Sequence, residues 1–120
     1  MLSWVRMTAK LARHQRAREI IDEMVRRIVD RFQPEKIILF GSYARGTAGP
    51  DSDVDLLVVM PVTGSKRDKA AEIYSFVTPI GLPKDILVAT PEEIEKYRRI
   101  PGTIIRPALL EGKVLYERPA

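Results

Sequence analysis

An α/β fold, a small sheet covered by helices, is predicted from three features of the chain. Apolar runs of strand length, Ile37–Phe40, Asp53–Met60 and Asp85–Ala89, alternate with stretches whose apolar residues recur every three or four positions. Proline and glycine mark the junctions between them. A length of 120 residues allows one hydrophobic core and no second, so residues 1–120 read as a single domain.

The elements follow in order. Ile20, Ile21, Met24, Val25, Ile28, Val29 and Phe32 draw an apolar stripe along a helix from about Thr8 to Arg31, a packing helix that Pro34 ends. Ile37–Phe40 reads as a short strand buried on both sides, stopped by Gly41. A sharp connection follows, with room for one helical turn at most. The next strand, Asp53–Met60, is apolar apart from its acids and is broken by Pro61 and Gly64. Ala70, Ala71, Ile73, Tyr74 and Val77 give a helix from about Lys66 to Pro79. After the strand Asp85–Ala89, Thr90-Pro91-Glu92-Glu93 is a strong helix start: Thr as N-cap, Pro at the first helical position and Glu93 closing a capping box. That helix is expected to run to about Arg99. Thr103 can cap a last helix, through Leu110, which Pro107 is expected to kink or shorten, before the short strand Val114–Tyr116.

Composition narrows the chemistry. The chain has no Cys, which removes disulfides, zinc-thiolate sites and cysteine nucleophiles and makes a reducing cytoplasm the default location. Arg and Lys interrupt the N-terminal sequence MLSWVRMTAKLAR before a signal-peptide core can form, so neither export nor membrane insertion is expected. The formal charge of +4 is uneven: residues 1–31 hold eight basic and four acidic side chains, and the remainder is balanced. Such a basic face can attract nucleic acid or an acidic partner, or simply be solvated. The aromatic-rich or glycine-rich patterns of nucleic-acid readers are missing, which disfavours direct nucleic-acid binding. Trp4 is a candidate interface anchor or an exposed tail residue, and His14 reads as a surface residue of the basic helix.

The densest signal is ILFGSYARGTAGPDSDVDLLVV. Alternation along a strand puts Asp53 and Asp55 on one side and Val54 in the core. Carboxylates held so close repel and raise a pKa unless a cation sits between them. Magnesium suits the place, because it prefers oxygen ligands and takes one or two protein carboxylates, completing its shell with water and phosphates. Asp85 opens the next strand and is expected to face the same ions. Gly41 lets the backbone approach a phosphate, Ser42 offers a hydroxyl and an N–H, and Arg45 can add a charge-assisted contact to a triphosphate. Taken singly, a Gly-Ser turn or an acidic strand end is commonplace. Their conjunction, with Asp85, makes a nucleotide site.

Gly41-Ser42, ten residues, Asp53-x-Asp55 and the later Asp85 resemble the nucleotidyltransferase superfamily related to DNA polymerase beta. More narrowly, GSYARGTAGPDSDVDLLVV and GTIIRPALLEGKVLYE are similar to the minimal nucleotidyltransferases, small stand-alone catalytic domains, and the match runs from about Pro34 to Glu117. The resemblance implies a small mixed sheet flanked by helices, with the basic helix packed on the catalytic core. It implies transfer from ATP with two magnesium ions. Asp53 and Asp55 would bridge them, and Asp85 would complete the metal site that activates the attacking oxygen. It also implies a partner: a helical ribonuclease toxin of the HEPN type, AMPylated on a tyrosine and neutralised, the chain acting as antitoxin within a hetero-oligomer. The alternatives are an antitoxin that works by occlusion, and transfer to a small molecule or an RNA end. Enzymes of the latter kind carry an extra substrate domain for which 120 residues leave no room.

Overall fold

The computed structural model describes residues 2–120, with side chains from Met7 onward, so Trp4 lies outside the described side chains. The elements are α1 (Leu2–Phe32), β1 (Lys36–Phe40), α2 (Gly41–Arg45), β2 (Val54–Val59), α3 (Lys66–Val77), β3 (Lys84–Ala89), α4 (Pro91–Tyr97), α5 (Ile105–Glu111) and β4 (Lys113–Glu117). The sheet runs β3-β2-β1-β4. It is mixed: β1 pairs antiparallel with β2 and β4, and β2 pairs parallel with β3. β1 and β2 are central, which explains why their middle residues are apolar on both faces.

Alternation along the strands divides the core into two layers. On one face Ile37, Leu39, Val54, Leu56, Val58 and Ile86 pack against Ile21, Met24 and Ile28 of α1 and Ile73 and Val77 of α3. On the other, Ile38, Leu57, Val59 and Ala89 meet Ala108 of α5, with Ile94 of α4 and Ile105 and Leu109 of α5 beside them.

Helix ends follow local chemistry, with three departures from expectation. α1 starts near residue 2, well before Thr8. Its first half has no packing periodicity to announce it, and residues 7–13 are exposed. It ends where Gln33 turns left-handed at φ 50° ahead of Pro34. Ser65 caps α3 by accepting from Asp68 N–H. In α4 the capping box is complete: Thr90 Oγ1 accepts from Glu93 N–H at 3.2 Å, and Glu93 Oε1 accepts from Thr90 N–H at 2.9 Å. Just ahead of α5, whose N-cap is Ile104 with no side-chain cap, Thr103 Oγ1 accepts from Arg106 N–H at 3.3 Å. Pro107 neither kinks nor shortens that seven-residue helix, because it occupies the first turn, where no intrahelical N–H donor is needed. Nor is His14 the surface residue its place on the basic helix suggested: its Nε2 is buried. Among the described residues no helix is long and apolar enough to cross a membrane.

Candidate active site

The site lies where the sheet's α4/α5 face runs out from under its helices. Leu57 is buried there and Leu87 packs against the same cluster; two residues back along each strand, on the same face, stand Asp55 and Asp85. Register brings them together, because Asp55 is paired with Asp85 in the parallel ladder and with Phe40 in the antiparallel one. Directly paired residues project to the same side, so the two carboxylates are neighbours. Asp53 sits one residue ahead of β2 rather than inside it and is exposed, as is Asp85, whereas Asp55 is partly buried. Burial pushes the Asp55 carboxyl above the ordinary aspartate range, Asp85 and then Asp53 push the same way, and Arg45 pulls against them.

Gly41 is the pivot of the other wall. It adopts φ 73° as the chain leaves β1 for α2, and a β-carbon there would overlap Oδ2 of Asp55 and lie 3.1 Å from its Cγ. The nearest reason for glycine is thus the Asp55 carboxylate across the strand pair. Ser42 follows in the first turn of α2, which has no side-chain cap for its first N–H groups. The turn is closed by Gly46 and Thr47, both of whose N–H groups donate to Ser42 C=O. Arg45 ends α2 and makes a 3.9 Å pair with Glu111 of α5, both side chains being exposed. A contact of that length and exposure is weak enough for Arg45 to be redirected toward an anion.

Sequence reasoning missed Ser52. Its hydroxyl accepts from Gly49 N–H at 2.9 Å and its own N–H donates to Gly49 C=O at 3.2 Å, folding Gly49-Pro50-Asp51-Ser52 into a turn that delivers Asp53. The signal was available, since Gly-Pro-Asp-Ser is turn chemistry. Lys84, an alternative partner for a surface acid, instead points its ammonium at Thr78 C=O, 3.5 Å away, and burial lowers its pKa.

Among the described residues no three Asp, Glu or His side chains close into a ready-made cage for one ion. The donor set is a partly buried carboxylate flanked by two exposed ones, beside the start of α2. Such a set fits magnesium, which needs only one or two carboxylates and brings water and phosphate oxygens for the rest.

The family model for the nucleotidyltransferase domain matches residues 21–115, from the second half of α1 to β4. The chain belongs to the nucleotidyltransferase domain family. A candidate protein adenylyltransferase of Methanocaldococcus jannaschii is 33% identical over 106 residues, covering 82% of this chain and 71% of its own length. Among solved structures, a candidate nucleotidyltransferase from Sulfolobus solfataricus superposes with a TM-score of 0.58 at 22% identity, covering 90% of this chain and 86% of that one. A toxin-antitoxin complex with AMP-PNP contains a chain that superposes with a TM-score of 0.50 at 20% identity, covering 81% of this chain and 73% of that one. These likenesses establish the mixed-sheet nucleotidyltransferase fold. As a member of the family, the chain is a nucleotidyltransferase.

Proposed function

We propose that this nucleotidyltransferase is an antitoxin that transfers AMP from ATP to a hydroxyl, a tyrosine by family resemblance, of a helical HEPN-type ribonuclease toxin and so neutralises it. One observation carries the reading: Asp55 is flanked by Asp85 in register and by Asp53, with the uncapped turn Gly41-Ser42 beside them. Two further likenesses support it, to a relative named for protein adenylyltransferase activity and to the fold of a chain in a toxin-antitoxin complex with AMP-PNP.

In this reading Asp53, Asp55 and Asp85 would hold two magnesium ions, which would neutralise the triphosphate and favour ionisation of the attacking hydroxyl. Ser42 and the first N–H groups of α2 receive phosphate oxygens, and Arg45 leaves Glu111 for the triphosphate. The acceptor oxygen attacks the α-phosphorus in line. The new O–P bond forms as the bond to the bridging oxygen breaks, pyrophosphate leaves, and the hydroxyl proton passes to water beside the exposed Asp85. Positioning and charge neutralisation supply most of the rate in such transfers.

The test is to incubate the chain with a helical HEPN-type toxin protein, ATP and magnesium and to weigh the products. The expected result is addition of one or more AMP groups to the partner, abolished in Asp53→Asn/Asp55→Asn, with loss of the partner's ribonuclease activity. An unmodified partner, inhibited equally well by the double variant, would leave occlusion as the mechanism and refute the catalytic reading.

A further inference from the structure

On the face of the sheet opposite the acids, α1, α2, β1 and β4 enclose a cavity of about 350 Å³. Its floor is apolar, formed by Ile21, Leu39 and Leu115, and the Tyr43 side chain of α2 walls one side. Its rim is polar and carries His14, Arg18, Asp22 and Lys113. His14 lines the cavity, but its Nε2 is closed off and offers an occupant no contact. Arg18 and Lys113 make no ion pair among the described residues, although Asp22 is on the same rim. We propose that this cavity binds a small organic anion with a flat apolar body. The carboxylate or phosphate would lie between Arg18 and Lys113, and the body would rest on Leu39 and Leu115 against Tyr43.

The size lies at the lower end of small-molecule pockets, and the lining has their usual makeup, mostly apolar with a few convergent polar groups. Two cations against one carboxylate select a negative head group. The apolar floor selects against a bare ion, which would leave it in water. This site is separate from the nucleotide site: Leu39 and Asp55 belong to opposite faces of the sheet. Tyr43 lies two residues from Gly41, so an occupant would brace α2 from behind. The inference does not depend on the antitoxin reading.

The experiment is a titration of the full chain, without nucleotide or metal, followed by methyl resonances of Ile21, Leu39 and Leu115 and by the ring nitrogens of His14. The probes are benzoate, phenyl phosphate and inorganic phosphate. Benzoate or phenyl phosphate is expected to shift all four residues with one dissociation constant at or below about 10 mM. Arg18→Ala/Lys113→Ala, which changes two exposed side chains and spares the core, is expected to weaken binding about tenfold or more. Asp53→Asn/Asp55→Asn is expected to bind as the parent does. Lack of saturable shifts overturns the proposal. So do shifts as large with inorganic phosphate as with phenyl phosphate, or shifts that disappear in the Asp53→Asn/Asp55→Asn protein.

Discussion

Gly41 and Asp55 are fitted to one another: the Gly41 backbone, at φ 73°, runs so close to the Asp55 carboxylate that residue 41 has no room for a side chain. Gly41→Ala therefore meets two obstacles. The left-handed conformation costs about 1–2 kcal/mol with a β-carbon, and the methyl group must push Asp55 aside. We expect stability to fall by about that amount in urea titration, and kcat/KM by on the order of 10²-fold, as for other small misplacements of reacting groups. Because Gly41→Ala acts through Asp55, combining it with Asp55→Asn should cost far less activity than the two losses added. Additive losses would mean that Gly41 serves the phosphate alone.

Asp55 also sets a pH signature. Its carboxyl is raised in the fold by burial, by Asp85 and by Asp53, against Arg45. A carboxyl raised above its unfolded value favours the fold while protonated, so that contribution is present below the ordinary value of 3.8 and is lost as pH rises through the folded value. At neutral pH the ionised Asp55 is a cost to the metal-free protein. Asp55→Asn should therefore melt higher than the parent at pH 7 without divalent ions, with the gap closing toward acid. Magnesium should raise the melting temperature of the parent more than that of the variant, as a ligand of the native state alone does. Melting curves across pH, with and without magnesium, check both.

The same two residues show how far the sequence could be read. Asp53 and Asp55 stand out because strand alternation and a fixed distance from Gly41-Ser42 are local properties. That Asp85 is the register partner of Asp55 depends on which strands pair and in which direction, a non-local matter to which periodicity is blind. In the sequence Gly41 reads as room for a phosphate, because the carboxylate beside it comes from another strand. Ser52 reads as loop, although it shapes the turn before Asp53. His14 looks like one more polar residue of a basic helix, and only the docking of α1 against the sheet turns it toward a cavity. The start of α1 ahead of Thr8 is not legible, because the apolar stripe begins only at Ile20.

The capping box of α4 is the clearest local signal, and it has a measurable cost when cut. Thr90→Ala removes the acceptor for Glu93 N–H and should lower stability by about 1 kcal/mol. Glu93 carries the pH dependence. Burial tends to raise its pKa, but hydrogen bonds from Lys66 and from Thr90 outweigh this and hold it below the ordinary value of 4.5. A depressed carboxyl contributes stability above its unfolded value and loses it as pH falls through the folded one. Glu93→Gln should therefore flatten the decline in stability below pH 4.5, opposite in sign to the effect of Asp55. Urea midpoints at a series of acid pH values measure the slope.

Gly112 joins α5 to β4 at a point where nothing larger fits. Its φ of −76° is open to any residue, so conformation is not the reason. A β-carbon there would collide with Ala108 C=O and crowd Ile38, and would lie 3.0 Å from Leu39 C=O. The first and last of these atoms are backbone and cannot rotate away, so α5 as a whole must lift from β1. Gly112→Ala should cost about 1–3 kcal/mol, in the range of overpacked cores. The lift also draws Glu111 away from Arg45, a weak pair of exposed side chains whose loss adds little to the stability change. Its effect belongs to the site: an Arg45 free of Glu111 should bind triphosphate no worse than before. Calorimetric melting together with nucleotide KM is the measurement. Lost stability with an unchanged or lowered KM is the expected pair, and a KM that rises in proportion to the instability would show that α5 positions Arg45 for substrate.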